Sequence, residues 1–182
     1  LGLHDITAAI ERAAEDEDIK GIFLESATVG AGFTATGTIR KALEAFRSSG
    51  KFVYAHAPYY EQTAYYLASV SDEIALAPLG VVDWRGFAVQ YMFYKDVLDR
   101  LDIDYEVFFA GRYKSASEPF RRNNMSKESK DQSRAFLEEM YRFLLAEVSV
   151  SRDVSIGQLD ELADTYAAFN SEVAVSSGLV DK

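Results

Sequence analysis

The stretch that decides the fold is FVYAHAPYYEQTAYYLASVSDEIALA, residues 52–77. Its apolar runs at Phe52–Ala57 and Glu73–Ala77 are typical of short strands. Tyr60–Val70, which lies between them, is predicted to form a helix. A strand, a helix and a second strand in this order predict two parallel strands, because the helix returns the chain to the same end of the sheet.

The same alternation extends towards the start of the chain. Asp5 is a candidate N-cap for a helix, because Ile6, Ala9 and Ile10 follow it at helical spacing. The next predicted elements are a strand at Ile19–Leu24, a loop with small residues at Ser26–Gly37, and an amphipathic helix that ends near Gly50.

Beyond the central unit we predict a turn at Pro78–Gly80, a strand at Val81–Trp84, a helix at Val89–Leu101 and another strand at Tyr105–Phe109. The final third is predicted to be helical, with helices at Ser126 to about Val150, Ser155–Ala163 and Ser171–Ser177. The whole pattern predicts an α/β fold with a largely parallel sheet and additional C-terminal helices.

Composition restricts the possible functions. The 182 residues suit one domain, here taken as 1–182, and 48% of them are hydrophobic. The net charge of −10 argues against a nucleic-acid partner, because a polyanion would be repelled. Cysteine is absent and there are only two histidines, so we expect no disulfide, no metal site and no cofactor.

The sequence contains no run long enough for a membrane span and no signal peptide. It begins at Leu1 without methionine and is close to a helical pattern by Ile6. We therefore expect this chain to be a segment of a longer protein, with any membrane anchor outside it.

The segment with the most unusual chemistry is GRYKSASEPF, residues 111–120, which follows the apolar run Val107–Ala110. Loops at the carboxyl ends of strands often carry sites in α/β proteins. Lys114 could be an ordinary surface lysine, or a general base held neutral by burial, since desolvation disfavours the charged form of lysine. The second interpretation requires that Glu118 does not pair with Lys114.

At this segment the chain resembles the signal peptide peptidase A family, also called protease IV or peptidase family S49. The lysine motif of that family is similar to Tyr113–Phe120. The residues that support the resemblance are Gly50–Ala55, Ala64–Ser69, Asp72–Ile74, Pro78–Val82 and Gly178–Asp181. The resemblance implies a ClpP/crotonase-like fold of repeated ββα units and a protease with a Ser/Lys dyad.

In long members of the family, the N-terminal half contributes the lysine and the C-terminal half the serine. The resemblance implies that Lys114 is the catalytic base. Gln62 occupies the position of the nucleophilic serine, so the chain matches the lysine-bearing half and is expected to be inactive alone. The implied partners are the serine-bearing half, apolar signal peptides, and further copies in a homo-oligomer, a tetramer by family analogy. The implied location is the periplasmic side of the inner membrane.

Residues near Lys114 are assigned supporting roles. Tyr113 would supply apolar surroundings, Ser115 would orient the lysine through a hydrogen bond, and Glu118 with Pro119 would fix the chain beyond it. Gly30 and Gly32 correspond to the glycine-rich stretch whose amides form an oxyanion hole in the serine-bearing half. Without a local serine they would only permit a tight loop.

Two alternative functions remain open at this stage. A non-catalytic assembly module would present apolar edges to sister domains, and Lys114 would then be a relic. A crotonase-like acyl-CoA enzyme would share the fold but would need paired oxyanion amides and a CoA pocket, and the loop carries no carboxylate motif for such chemistry.

Overall fold

A parallel sheet has its strands in sequence order: β1 (Gly21–Leu24), β2 (Phe52–Tyr60) and β3 (Glu73–Val82). Helices α1 (Leu3–Glu15), α2 (Phe33–Ser48) and α3 (Gln62–Ala68) precede or connect these strands. The computed structural model thus confirms the predicted α/β class. The strands predicted on either side of the turn at 78–80 form one strand, β3, whose register against β2 shifts at this point.

The structure describes residues 2–108, 110–111 and 113–182, and these fall into two units. The first unit comprises Leu1–Gly86 and Leu144–Lys182, and the second comprises Phe87–Phe143. The remaining helices are α4 (Lys95–Arg100), α5 (Glu118–Arg121), α6 (Lys127–Arg152), α7 (Ile156–Thr165) and α8 (Ser171–Ser176), with 3-10 turns at Ser115–Ser117 and Ala167–Phe169. The single domain over 1–182 stays a prediction.

One face of the sheet packs against the first three helices. Val53 of β2 lies in an apolar cluster with residues from α1, α2, α3 and the turn after α3, namely Ile10, Ile39, Leu43, Phe46, Leu67 and Val70. Side chains alternate between the two faces of a strand. Phe52 and Tyr54 therefore point to the other face, where both are exposed and their ring centroids lie 4.7 Å apart. The core of the first unit is thus built on one side of these strands.

A second part of the core connects the sheet to the C-terminal helices. Trp84, which follows β3, is fully buried and its Nε1 donates to the Leu159 carbonyl oxygen in α7 at 2.8 Å. Tyr65 in α3 is also buried, and its hydroxyl donates to the Leu179 carbonyl oxygen at 2.7 Å. Burial raises the pKa of the Tyr65 hydroxyl, so it remains a protonated donor.

The last residues of the chain pair with the outer edge of β3. The Leu76 amide donates to the Lys182 carbonyl oxygen at 2.7 Å, and the Asp181 amide donates to the Ile74 carbonyl oxygen at 2.8 Å. The Asp181 carboxylate also accepts a hydrogen bond from the Ile74 amide. These bonds satisfy backbone groups that an edge strand would otherwise expose.

A buried arginine joins α2 to the C-terminal part of α6. Arg40 is only 1% exposed, and its guanidinium contacts the carboxylates of Glu44 and Glu147 at 2.6 Å each. It also lies over the ring of Tyr66, 4.9 Å from the centroid. The charge is therefore compensated within the first unit.

Three boundaries near the start and in the middle of the chain differ from prediction. Helix α1 begins at Leu3, so Asp5 is not the N-cap, and its carboxylate accepts a hydrogen bond from the Gly2 amide at 3.0 Å. Helix α2 begins at Phe33, inside the predicted loop. The helix predicted at Val89–Leu101 is limited to α4, because the Tyr94 amide donates to the Pro119 carbonyl oxygen at 2.7 Å.

The strand predicted at Tyr105–Phe109 is wrong over its described residues, 105–108, which adopt no regular structure. Phe109 lies outside the described residues. A strand needs a neighbour to pair with its backbone, and the described sheet consists of β1, β2 and β3 alone. The apolar run therefore does not supply the strand end on which Lys114 was expected to lie.

None of the helices within the described ranges combines the length and apolar character that crossing a membrane requires.

Candidate active site

Lys114 lies in the second unit, immediately before the 3-10 turn Ser115–Ser117. The chain reaches it through Gly111, whose φ of +97° favours glycine. Together with Phe108, Ala110, Ala116 and Ser117, the lysine lines an open cavity of about 550 Å³. All of these residues belong to the two segments singled out in the sequence, the apolar run 107–110 and the motif 111–120, but only Lys114 was assigned a role there.

The Lys114 side chain is exposed, so the apolar surroundings expected from the sequence do not enclose it within this chain. Phe108, which lines the same cavity, is 94% exposed, and Tyr113 is 64% exposed. No carboxylate in residues 2–108, 110–111 and 113–182 forms an ion pair with Lys114. The amine is therefore accessible to another molecule and remains unpaired within this part of the chain.

The residues that follow Lys114 differ in their surroundings. Ser115 is half-buried in the 3-10 turn, and no hydrogen bond joins its hydroxyl to Lys114 in the portion of the chain that is described. Glu118 is 3% exposed, and its carboxylate accepts a hydrogen bond from the Ser126 amide at 3.0 Å. The condition that Glu118 does not pair with Lys114 is therefore met.

Gln62 begins α3 in the first unit and is largely buried, since the residue is only 9% exposed. Its Nε2 donates to the Gly86 carbonyl oxygen at 2.9 Å. Its Oε1 accepts from the amides of Arg85, at 3.1 Å, and Gly86, at 2.7 Å. The side chain thus binds the backbone that follows β3, and an amide group offers no nucleophile.

We expect Gln62→Leu to lower the free energy of unfolding by about 2 kcal/mol, because partly buried backbone groups at 85–86 would lose their partners. Urea unfolding followed by circular dichroism measures this change. Gln132→Leu is the matched control, since Gln132 is exposed on α6. A loss for Gln62→Leu that is no larger than that of the control would show that these hydrogen bonds add little.

The two glycines proposed for an oxyanion loop lie in the first unit, between β1 and α2. Gly30 and Gly32 are exposed, and Gly32 is the N-cap of α2. Neither has a positive φ, and an added Cβ atom would meet no atom within 4 Å at either position. The backbone in this loop therefore does not itself require glycine, and open space surrounds both residues.

The predicted residues fall into two groups. Gly30, Gly32 and Gln62 belong to the first unit, whereas Tyr113–Ser115 and Glu118 belong to the second. The structure brings Lys114 into one cavity with Phe108 and Ser117, and it brings Gln62 to the backbone of 85–86.

Comparison with known proteins identifies the family. The model of peptidase family S49 matches residues 45–182, which include both Gln62 and Lys114. The chain belongs to peptidase family S49. Gly30 and Gly32 lie outside residues 45–182, the part that the family model matches.

The names of similar curated proteins agree with the assignment to this family. Protease 4 of Salmonella typhi is 42% identical over 158 residues, which cover 86% of this S49 chain and 26% of that protein. Protease 4 of Haemophilus influenzae is 38% identical over 169 residues, covering 92% of the chain and 28% of that protein. The chloroplastic serine protease SPPA of Arabidopsis thaliana is 28% identical over 149 residues, 82% of the chain and 22% of that protein. The chain therefore spans about a quarter of the length of these relatives.

Proposed function

We propose that this S49 chain is part of the lysine-bearing half of a serine endopeptidase that uses a Ser/Lys dyad. The observation that carries the proposal is the position of Lys114, which has no ion-pair partner in the described ranges and lines an open cavity with Phe108, Ala110 and Ala116. The nucleophile would come from a serine-bearing half, because Gln62 fills the corresponding position here and its amide binds the backbone.

The reaction would divide the proton transfer and the nucleophilic attack between the two halves. The serine hydroxyl of the other half would attack a peptide carbonyl carbon while uncharged Lys114 accepts the hydroxyl proton. The protonated lysine would then donate to the leaving amine as the peptide bond breaks. A water molecule, deprotonated by Lys114, would hydrolyse the acyl-enzyme, release the carboxylate product and restore the serine.

A lysine can act as a base only when it is uncharged, and removal from water favours the uncharged form. Lys114 is exposed in this chain, so the proposal requires the serine-bearing half and the bound peptide to cover the cavity. Exposed apolar side chains of the second unit, such as Phe108 and Met92, suit an apolar peptide. We therefore propose cleaved signal peptides as the substrates.

A location and an assembly, both taken from the family, complete the proposal. A protease of signal peptides would work beside the inner membrane, on its periplasmic side, and its anchor would lie outside this chain. Assembly into a homo-oligomer would bring several such sites together. By analogy with the family, the oligomer would be a tetramer.

An assembly module is the second candidate function. The observation that favours it is the exposed aromatic face of the sheet, where Phe23, Phe52 and Tyr54 are 60%, 43% and 41% exposed. Parallel sheets are ordinarily covered on both faces. Under this alternative the chain would bind sister domains and Lys114 would take no part in chemistry.

We expect the chain alone to leave an apolar peptide uncleaved, because it lacks an activated nucleophile. The same chain joined to its serine-bearing half should cleave the peptide and react with a fluorophosphonate probe at one serine of that half. Fluorescence measures hydrolysis of the peptide, and mass spectrometry of the labelled protein identifies the serine that reacted with the probe. Probe labelling of a serine within residues 1–182 would contradict the division of roles.

A further inference from the structure

The carboxylate of Glu118 is buried four residues after Lys114. It is 3% exposed and accepts a hydrogen bond from the Ser126 amide, with 3.0 Å between Oε2 and N. Ser126 immediately precedes α6 and contacts its first turn: its Oγ accepts from the Ser129 amide at 3.1 Å and its carbonyl oxygen accepts from the Lys130 amide. The carboxylate thus joins the segment after Lys114 to the start of the longest helix.

The surroundings keep this buried carboxylate charged. Burial by itself would raise the pKa of Glu118, but hydrogen bonds from Ser126 and the nearby guanidinium groups of Arg122 and Arg121 outweigh it and lower the pKa. The nearest Arg121 nitrogen lies 3.9 Å from Oε1. A charged acceptor makes a stronger hydrogen bond to a backbone amide than a neutral one.

The two residues after Glu118 contact other parts of the second unit. The Pro119 carbonyl oxygen accepts from the Tyr94 amide at 2.7 Å. The Phe120 ring stacks on Tyr94 and on Tyr105, with centroid distances of 5.9 Å and 4.8 Å. Glu118, Pro119 and Phe120 therefore attach one short segment to three separate places.

Lys114 has no comparable contact of its own. Its side chain is exposed, and within the ranges that the structure describes it makes no hydrogen bond or ion pair. Only the turn Ser115–Ser117 separates it from Glu118. Within the described part of this chain only the backbone of the turn restrains the amine. The polar contacts that hold this backbone begin at Ser117, whose Oγ accepts from Arg121 Nε at 3.2 Å, and the first buried carboxylate after the lysine is that of Glu118.

We propose that Glu118 is a positioning residue for Lys114, which acts by fixing the lysine-bearing turn to the start of α6. This inference rests on the proposed function for its catalytic consequence. The positioning itself is a property of the turn, so it can be measured without any peptidase activity.

Limited digestion with trypsin tests the turn directly, because trypsin cleaves after an accessible lysine in a mobile segment. We expect Glu118→Ala to increase the rate of cleavage after Lys114 at least tenfold, as measured by mass spectrometry on the protein that carries both halves. Glu118→Gln retains the side-chain volume and an acceptor oxygen, so we expect a smaller increase of about threefold. Glu138→Ala, at an exposed position of α6, is the control and should cleave at the rate of the unaltered protein.

Peptide hydrolysis by the same variants tests the catalytic consequence. We expect kcat to fall about thirtyfold in Glu118→Ala and about fivefold in Glu118→Gln, while KM changes less than threefold, because the base is displaced and the peptide groove is retained. If kcat falls and KM rises by similar factors, and the unfolding midpoint is lowered as well, the variant is destabilised in general. That result would overturn the positioning role.

The outcomes of the two assays are distinguishable. Cleavage after Lys114 at the control rate in both Glu118 variants would overturn the inference. Faster cleavage with a lowered kcat would support it. If the unaltered two-half protein hydrolyses no peptide, the proposed function fails, whereas faster trypsin cleavage would still support the role of Glu118 in holding the turn.

Discussion

Lys114→Ala, made in the protein that carries both halves, should lower kcat for an apolar peptide by about 10³-fold. A positioned general base contributes about 10² to 10⁴ to the rate, and no other described residue lining the cavity, namely Phe108, Ala110, Ala116 and Ser117, can replace an amine. Peptide hydrolysis under saturating substrate measures the change. The reaction of the partner serine with a fluorophosphonate probe should decline in parallel, because the same base activates that hydroxyl.

Lys114→Arg separates the charge of the lysine from its basicity. Arginine retains a positive charge at this position but does not release its proton in proteins. We therefore expect it to be as inactive as the alanine variant. Lys127→Ala is the matched control, since Lys127 is exposed in the same unit at the start of α6. A Lys114→Arg protein with more than a tenth of the original activity would exclude proton transfer by this residue.

Trp84→Ala should lower the free energy of unfolding by about 3 to 5 kcal/mol, which is the usual loss when a buried Trp is truncated. Trp84 is 0% exposed, and its ring meets Tyr65 edge-on with 5.7 Å between centroids. Its Nε1 also supplies the hydrogen bond to Leu159. Because many domains are stable by only about 5 to 15 kcal/mol, a large fraction of the stability would be lost. Urea unfolding followed by circular dichroism measures the change.

Two further variants show which part of Trp84 matters. Trp84→Phe keeps an aromatic ring but removes the donor to Leu159, so we expect a loss of about 1 to 2 kcal/mol from the unpaired carbonyl and the smaller ring. Phe136→Ala removes an aromatic side chain that is 62% exposed, and we expect a change below about 0.5 kcal/mol. A Trp84→Ala protein as stable as the Phe136→Ala protein would contradict the assigned packing.

The central unit from Phe52 to Val82 could be predicted because its pattern is local. Val53, Ala55 and Ala57 alternate with more exposed neighbours along β2, as a strand with one buried face requires. The C-terminal helices were predictable for a similar reason. Helix α7 begins after Ser155, whose hydroxyl accepts from the Gln158 amide, a local N-cap arrangement.

The second unit was predicted less well because its structure depends on distant contacts. The apolar pattern of Val89–Leu101 favours a helix, but the Tyr94 amide is used by Pro119 instead of a helical carbonyl. The apolar run before Lys114 favours a strand, but the described residues provide no strand beside it. Such partners are separated along the chain and leave no periodic signal in the sequence.

The candidate site was predictable in its chemistry and less so in its surroundings. The motif around Lys114 indicated which amine to consider, and the residues before Tyr65 led to the separate prediction that Gln62 stands where the serine-bearing half has its nucleophile. The motif could not show that Lys114 would be exposed, because burial depends on packing between segments. Nor could it show that Arg40, an ordinary helix residue by pattern, would be 1% exposed between two carboxylates.

Under the proposed function, the hydrogen bonds of Gln62 would make the specialisation of this half difficult to reverse in evolution. A serine at position 62 would supply a hydroxyl, but its side chain is too short to reach the groups that the longer amide binds at Arg85 and Gly86. A lineage that gained a nucleophile here by one substitution would therefore lose stability at the same step. Each half of such an enzyme would then retain its own task, because a second substitution would be needed to restore the hydrogen bonds lost at 85–86.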